Sequence, residues 1–284
     1  MKIGAHVSIA GGLSSGIDRA QRIGAEAIQI FASSPRSWKF HSPTEDQILD
    51  FRQKAEQTGI GPTFIHGSYL VNVGGNSELL GKSIRSLVEN LELAVQIGAT
   101  GVVFHGGSHK GQGFEKIFNQ ATQALTEVLS KCPDGVYLVM ENSAGMGAHI
   151  GSSFTEIGEL IREIDHPNLM VCLDTQHTFA AGYNIADKDG LDETIKEFDS
   201  EIGLSKLVAV HANDSKIELG GGVDRHENIG EGYIGMGGFE IIMAHAAFQN
   251  VPFLLEVPGF DPDSRGPDKL NIDRMLELRS KSSL

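Results

Sequence analysis

Eight short apolar segments, separated by amphipathic stretches, constrain the fold of this 284-residue chain more than any other feature. Most of them are continuously hydrophobic rather than alternating, which is typical of parallel strands that are buried on both faces. A chain with this many buried parallel strands needs helices to cover them. The predicted strands are residues 2–6, 27–32, 62–66, 101–105, 136–141, 169–174, 207–211 and 251–256.

Helical periodicity lies between these segments. It is clearest in residues 77–97, where Ser77 is a candidate N-cap and Gly98 follows the last helical position. Alternating strands and helices indicate βαβ units, and eight such units fit a single (β/α)₈ TIM-barrel domain spanning 1–284, since about 250 residues are typical of that fold. Further helices are predicted near 45–58, 114–130, 153–164, 190–202, 237–248 and 265–280.

Composition excludes several classes of protein. A hydrophobic fraction of 40% and a charged fraction of 21% are ordinary for a soluble globular protein. No signal peptide and no run of roughly 18 uninterrupted apolar residues is found, so a membrane location is not expected. Cys132 and Cys172 are too few for a disulfide scaffold, and we expect a cytoplasmic protein. No Gly-x-Gly-x-x-Gly follows the first strand, which argues against a dinucleotide-binding fold.

From the third predicted strand to the eighth, every strand ends on a residue that can bind a metal ion. Glu141 and Glu256 each follow a run of apolar residues, and their own strands contain no Lys or Arg to neutralise them. Because a buried carboxylate is unfavourable without a partner, metal binding explains these residues better than a structural role does. The six strand-end residues are His66, His105, Glu141, Asp174, His211 and Glu256.

Two further pairs extend this set of candidate ligands. His177 follows Asp174 at a spacing of three residues, and Asp224 and His226 lie together in a glycine-rich loop. Imidazole and carboxylate ligands together favour zinc or manganese over magnesium or calcium. Nine candidate ligands are too many for one tetrahedral ion, so the sequence predicts a multinuclear site.

Several segments resemble the endonuclease IV family, the metal-dependent apurinic/apyrimidinic endonucleases of base-excision repair. The resemblance extends, in order, over essentially the whole chain. It implies a TIM barrel with three zinc ions per chain, with manganese as a substitute at one of the sites. The segments are HGSYLVN (66–72), FHGGSH (104–109), ENSAG (141–145), LDTQHTFAAGY (173–183), HANDSK (211–216), VDRHENIGEGYIG (223–235) and LE (255–256).

The resemblance also implies a ligand set for each ion. One zinc would be bound by His66, His105 and the bridging Glu141. The second would share Glu141 and add Asp174, His211 and Glu256. The third would be bound by His177, Asp224 and His226. Glu141 and Glu256 are therefore the expected catalytic carboxylates.

Three residues depart from the pattern of the family. Gly106, Gln176 and Val257 stand where Pro, Cys and Thr are frequent. None of the three is an expected metal ligand, so the departures leave the chemistry intact. Val257 removes a hydroxyl group that could otherwise hydrogen-bond beside the last ligand.

The activity implied by the resemblance is hydrolysis of the phosphodiester bond on the 5′ side of an abasic site in double-stranded DNA. A metal-bound hydroxide would attack the phosphorus, leaving a 3′-hydroxyl and a 5′-deoxyribose phosphate. Removal of phosphate or phosphodiester blocks from 3′ ends is expected as well. Arg36, Tyr69 and Leu70 match the residues that wedge into DNA at the lesion, and we expect a monomer.

The formal net charge of −14 is unusual for a DNA-binding protein. Three bound Zn²⁺ would reduce it to −8 and would concentrate positive charge where a phosphate must bind. DNA affinity should then depend on a local basic patch and should fall with salt. The candidate residues for this patch are Arg36, Lys39, Lys110, Lys216 and Arg225.

Two alternatives remain open on the sequence. A sugar isomerase or epimerase with one or two divalent ions would explain Glu141, Asp174, His211 and Glu256 at strand ends. It would leave His66, His105, His177, Asp224 and His226 without a function. A non-catalytic DNA- or metal-binding module is the other alternative. Metal content distinguishes the three, because about three zinc ions favour the nuclease and one manganese favours the isomerase.

Overall fold

The computed structural model describes residues 1–261 and 265–282. Eight parallel strands close into a barrel, which confirms the predicted TIM barrel. The barrel strands are β1 (Ile3–His6), β2 (Ala27–Phe31), β3 (Thr63–His66), β4 (Gly101–His105), β5 (Tyr137–Glu141), β6 (Leu169–Asp174), β7 (Leu207–His211) and β10 (Phe253–Leu255). Neighbouring strands pair in the order β1-β10-β7-β6-β5-β4-β3-β2. A separate two-stranded antiparallel sheet joins β8 (Asp214–Ser215) and β9 (His226–Glu227).

Nine α-helices lie within the described residues. They are α1 (Ser15–Ile23), α2 (Glu45–Thr58), α3 (Ser77–Ile97), α4 (Phe114–Leu129), α5 (Phe154–Ile164), α6 (Thr175–Ala180), α7 (Lys188–Glu201), α8 (Gly235–Ala244) and α9 (Lys269–Ser282). The predicted helices 45–58 and 77–97 match α2 and α3. No helix among the described residues has the length and apolar character needed to cross a membrane.

Several details of the predicted elements were wrong. Asn76, not Ser77, is the N-cap of α3, because its side chain accepts a hydrogen bond from the Leu79 amide at 3.0 Å. The predicted helix 237–248 is interrupted at His245, and a 3₁₀ turn follows. The predicted helix 265–280 begins only at Lys269. Helix α6 and the small β8–β9 sheet were not predicted, and of α1 only its end at Ile23-Gly24 was indicated.

Two helix-to-strand connections share one geometry. Gly24 after α1 and Gly98 after α3 adopt left-handed backbone conformations, with φ of 81° and 72°. The next amide in each case bonds back into the helix, Ala25 to the carbonyl of Ala20 and Ala99 to that of Ala94. This C-cap reverses the chain directly into the next barrel strand, as the similar sequences IGAEAIQIFA and IGATGVVFHG indicate.

The barrel interior is built in layers, because side chains two residues apart along a strand lie on the same face. An inner apolar layer consists of Ala27, Phe64, Val103, Val139, Cys172, Ala209 and Leu254. In β1 the matching position is Gly4, where a Cβ would lie 2.4 Å from the Ala27 carbonyl oxygen. Two residues further along each strand comes a layer that we call the polar ring. Its members are His6, Gln29, His66, His105, Glu141, Asp174, His211 and Glu256.

The two ends of the chain are joined opposite the polar ring. Arg279 in α9 forms a two-pronged ion pair with Glu26, and Glu26 also accepts the Ile3 amide at 3.0 Å. Partial burial favours the neutral form of Glu26, but the Arg279 guanidinium outweighs it and lowers the pKa of Glu26. The pair therefore fastens α9 to the first strand of the barrel.

We predict that Glu26→Gln lowers the free energy of unfolding by about 1 kcal/mol at neutral pH, since solvent screens this partly exposed pair. The folded-state pKa of Glu26 is depressed, so its contribution is present above the unfolded pKa and is lost as pH falls through the folded value. Urea unfolding of both proteins at several pH values measures this. Glu277→Gln, which removes an exposed pair within α9, is the control and should change stability less. If the difference in unfolding free energy between Glu26→Gln and wild type stayed constant down to strongly acidic pH, the assignment would be contradicted.

Candidate metal centre

Glu141 is the β5 member of the polar ring and is fully buried. Its Oε2 atom is 3.3 Å from Nε2 of His66 and 3.6 Å from Nδ1 of His105. Its Oε1 atom is 3.0 Å from Nδ1 of His211 and 3.3 Å from Nδ1 of His177. Each oxygen therefore faces a different set of imidazoles, as a carboxylate shared between two ions requires.

A second group of donor atoms surrounds the other side of Glu141. Nδ1 of His211 lies 3.5 Å from Oε2 of Glu256 and 3.9 Å from Oδ2 of Asp174. One atom from each of the four residues lies within 4.8 Å of the others, which is close enough to bind one ion. The predicted strand 251–256 ends one residue early, so Glu256 follows β10 directly and still projects into this group.

A third group forms where α6 and the β8–β9 sheet meet the barrel. Oδ1 of Asp224 is 3.4 Å from Nε2 of His177 and 3.3 Å from Nε2 of His226. Asp174 also approaches this group, since its Oδ2 atom is 3.7 Å from Nε2 of His226. Asp174, His177 and His226 have donor atoms within 4.8 Å of one another. Asp174 thus lies between the second and third groups, a position that the sequence did not indicate.

The orientation of the histidines fits metal binding. Nδ1 of His66, His177 and His226 faces a backbone carbonyl, of Gly67, Asn142 and Glu256 respectively, at 2.8, 2.9 and 3.3 Å. A proton on Nδ1 satisfies that carbonyl and leaves the Nε2 lone pair for a ligand. The buried Nε2 atoms of His177 and His226 have no hydrogen-bond partner among the described residues. Because such atoms are rarely left unpaired, the donor set fits a cation.

Two buried asparagines hold the carboxylates in place. The side chain of Asn213 donates to Oδ2 of Asp174 at 2.7 Å and accepts the amide of Glu256 at 2.8 Å. The side chain of Asn142 accepts the amide of Asp174 at 2.7 Å. Asp174 itself caps α6 by accepting the amide of His177 at 2.8 Å. Both oxygens of Asp174 are therefore held, and the backbone of Glu256 is fixed to the same asparagine.

Burial and mutual charge shift the pKa values in this cluster. Burial opposes ionisation of Glu141, but the imidazoles of His105 and His211 outweigh it and hold its pKa well below the usual range. Burial raises the pKa of Asp174, despite His177 nearby. Burial opposes protonation of His177, yet Asp174 and further carboxylates hold its pKa well above the ordinary value. The pKa of His211 is likewise raised well above it, against burial, by Cys172 and Glu256.

The structure adds two residues that the sequence analysis missed. Nδ1 of His6 lies 2.8 Å from Oε1 of Glu256, and the side-chain amide of Gln29 donates to the same oxygen at 2.6 Å. The signal for His6 was present, since the first predicted strand also ends on a metal-capable residue. Gln29 is the polar residue of an otherwise apolar strand, and its inward position follows from the two-residue alternation.

One departure from the family pattern has a visible structural role. The side chain of Gln176 donates to the Val223 carbonyl at 3.0 Å and accepts the amide of Arg225 at 3.3 Å. These bonds hold the backbone on both sides of Asp224. Pairing of Ser215 with His226 in the β8–β9 sheet fixes the other end of the segment. Gly106 and Val257 contribute no ligand, and Val257 is fully buried.

The residues expected to contact DNA lie at the rim of this centre. Tyr69 is 53% exposed, and its ring centroid is 5.2 Å from that of Phe31 and 5.7 Å from that of His66. The Tyr69 amide bonds to the carbonyl of Pro35 at 3.0 Å, which joins the loop after β3 to the loop that carries the exposed Arg36. Leu70, the next residue, is half-buried.

The rim also surrounds two open spaces. A cavity of about 350 Å³ lies over His105, His177 and Asp224 and is bordered by Tyr69 and His149. A larger groove of about 670 Å³ runs along the other side of Tyr69.

Two of the five residues predicted to form a basic patch are bound to other groups of the protein. Lys39 and Lys110 are exposed. Lys216 lies 3.4 Å from a Glu227 carboxylate oxygen, and the Arg225 guanidinium bonds to the carbonyl of Asp224 at 2.9 Å.

Comparison with known proteins supports the fold and shows the family. Residues 17–279 match a family model described as a xylose isomerase-like TIM barrel. A relative from Halothermothrix orenii, named "Probable endonuclease 4", is 40% identical over 276 residues, which cover 96% of this chain and 99% of the relative. The solved structure of endonuclease IV from Thermus thermophilus is 33% identical, with a TM-score of 0.85 and coverage of 100% of this chain and 99% of that one.

The barrel and its ring of histidines and carboxylates place the protein in the xylose isomerase-like class of TIM barrels. Within that class, the chain belongs to the endonuclease IV family, as the resemblance of its motifs indicated, and it is an enzyme. A solved D-tagatose 3-epimerase-like protein has a TM-score of 0.74 but is only 19% identical, so it shares the fold alone.

We predict that zinc binding to the metal-free protein releases protons and weakens as pH falls. The raised pKa values of His177 and His211 mean that these rings hold protons which zinc must displace. Titration calorimetry in buffers of different ionisation enthalpy, at about pH 6 and about pH 8, measures both effects. Equal affinity at the two pH values, with no proton release, would contradict the assignment of these histidines.

Proposed function

We propose that the protein is a DNA-repair endonuclease that hydrolyses the phosphodiester bond 5′ to an abasic site, using three zinc ions. The observation that carries this proposal is the grouping of nine donor residues into three adjacent sets around Glu141. Membership of the endonuclease IV family supports the reaction class. The products would be a 3′-hydroxyl and a 5′-deoxyribose phosphate.

The residues of each set would hold one ion. His66, His105 and Glu141 form the first set, Glu141, Asp174, His211 and Glu256 the second, and His177, Asp224 and His226 the third. When bound, the ions supply a water of lowered pKa and positive charge for the departing oxygen. Manganese in place of one zinc is compatible with the same mixture of imidazole and carboxylate donors.

The chain's own side chains would orient the reaction. Glu141 presents one oxygen to each neighbouring set, which fixes the spacing between them. Glu256 is held by His6 and Gln29 at one oxygen, so its other oxygen faces His211. These contacts are preformed, and a preformed site needs little rearrangement when charge develops during the reaction.

The rim residues would select the damaged site. Tyr69 is exposed above the centre, and Leu70 follows it, so both can occupy space where a base is missing. Arg36 can hydrogen-bond the displaced strand from the neighbouring loop. Unstacking is easiest where a base is absent, which favours abasic sites over intact duplex. A blocked 3′ end requires less distortion, so removal of 3′ phosphates is a second expected activity.

The rival activity of a sugar isomerase or epimerase uses only part of this arrangement. The four-residue set around Asp174 and Glu256 would suffice for it, and such enzymes share the fold. The Nε2 atoms of His177 and His226, which have no hydrogen-bond partner in the part of the chain that the structure describes, lie outside that set. A three-ion centre gives both atoms an ion to bind, whereas an isomerase site does not, and this favours the nuclease.

The test is cleavage of a duplex that contains one synthetic abasic site, with and without a chelator. We expect one cut on the 5′ side, a 3′-hydroxyl end that a polymerase extends, and loss of activity that zinc restores. A chelator-resistant cut, or a cut on the 3′ side, would overturn the proposal. We also expect a single-domain, cytoplasmic monomer, and size-exclusion chromatography with light scattering tests the monomer.

We predict that Glu141→Gln reduces cleavage by about three orders of magnitude or more, because a neutral amide cannot bridge two cations. Steady-state rates on the abasic duplex, with zinc content measured in parallel, check this. Glu197→Gln, which removes a carboxylate bonded to Tyr183 on the outside of the barrel, is the control. A variant at Glu141 with wild-type rates and full zinc content would disprove the bridging role.

We predict that Tyr69→Ala and Arg36→Ala each weaken binding to abasic duplex about tenfold while zinc content stays unchanged. The rate at which a 3′-terminal phosphate is removed should decrease less, since this reaction needs less bending of the DNA. Leu49→Ala, at an exposed apolar residue of α2, is the control. Equal losses on both substrates, or a loss of zinc, would show that these residues act on the chemistry instead.

A further inference from the structure

One member of the polar ring is neither ionisable nor an expected ligand. Gln29 occupies the β2 position of the ring and is fully buried. Its amide nitrogen donates to Oε1 of Glu256 at 2.6 Å. Its amide oxygen lies 2.9 Å from Nε2 of His211. A single side chain thus contacts two residues of the four-residue metal set, which consists of Glu141, Asp174, His211 and Glu256.

The direction of these hydrogen bonds fixes the orientation of the amide. Ionised Glu256 only accepts hydrogen bonds, so the NH₂ group of Gln29 must face it. The amide oxygen then faces His211 and can only accept, so the proton of a neutral His211 ring must be on Nε2. The alternative flip would place two oxygen atoms against each other and leave a buried NH₂ group against the ring.

In this arrangement His211 presents Nδ1 as its ligand atom, whereas three neighbouring histidines present Nε2. With Nε2 protonated, the Nδ1 lone pair faces Oε1 of Glu141 at 3.0 Å and Oε2 of Glu256 at 3.5 Å. In His66, His177 and His226 the backbone carbonyls accept from Nδ1 and leave Nε2 as the ligand atom. The ring N–H of each of those histidines donates to a backbone carbonyl, whereas the ring N–H of His211 donates to a side chain.

We propose that Gln29 is the positioning residue of the four-residue metal set, holding His211 in the Nε2–H tautomer and Glu256 in its orientation. The inference rests on the proposed function only in taking this set as a metal site. Partners of ligand residues commonly change metal affinity by about 10- to 100-fold when they are removed. Gln29 should therefore act on one ion and leave the other sites largely unaffected.

The first test is zinc retention in Gln29→Met, which keeps the volume of the side chain and removes its polar contacts with Glu256, His211 and His6. Titration of the zinc-loaded protein with a competing chelator should release one zinc at an affinity about 10- to 100-fold weaker than in wild type. The other two zinc ions should be released as in wild type. Thr63→Val is the matched control, since it also removes a buried polar group from a barrel strand, but at the opposite end.

Two results of this titration would overturn the proposal. One is three zinc ions held as tightly as in wild type. The other is equal weakening of all three, which would mean that Gln29 supports the barrel and not one site.

The second test needs no variant and decides the matter if Gln29→Met does not fold. Long-range ¹H–¹⁵N correlation spectra of the zinc-loaded wild type report the tautomer of each histidine ring. We expect His211 to carry its proton on Nε2, with His66 and His177 protonated on Nδ1. A proton on Nδ1 of His211 would overturn the proposal. Neither test uses DNA, so a failure to cleave abasic duplex would count against the proposed function and not against this inference.

Discussion

The structure depends on how the buried charge of Glu141 is accommodated. This carboxylate has no exposed surface, and burial alone would strongly favour its neutral form. Four histidine rings approach its two oxygens within 3.6 Å, and the imidazoles of His105 and His211 favour the ionised form against burial. A protein rarely maintains such an arrangement for stability, because apolar residues of similar volume would serve as well or better. The arrangement is understandable if cations occupy the spaces between these residues.

The closed barrel makes this convergence possible. Inward-facing positions recur every two residues, and closure brings the last inward position of every strand into one ring. A solved epimerase-like protein shares the barrel, so the fold does not define the chemistry. Part of the donor set of this chain lies beyond the barrel strands. Helix α6 supplies His177, and the segment between β8 and β9 supplies Asp224 and ends at His226, so a third set of donors lies beside the ring.

Much of this arrangement could be read from the sequence, for reasons that also explain what was missed. The apolar segments and the helical periodicity between them predicted the barrel. The residues at the ends of the predicted strands provided most of the candidate metal ligands. Helix α6 was missed because its six residues continue directly from β6 and are too few to show a period. Gln29 was missed because it is uncharged, and the approach of Asp174 to the third set depends on hydrogen bonds from Asn213 and His177. Such contacts form only after folding.

Anomalous diffraction from crystals of the zinc-loaded protein, measured at the zinc absorption edge, tests the three-ion centre most directly. We expect three peaks, with the two oxygens of Glu141 directed at two of them and the third peak beside His177 and His226. A single peak among Glu141, Asp174, His211 and Glu256 would contradict the three-ion centre and would favour the mononuclear chemistry of an isomerase.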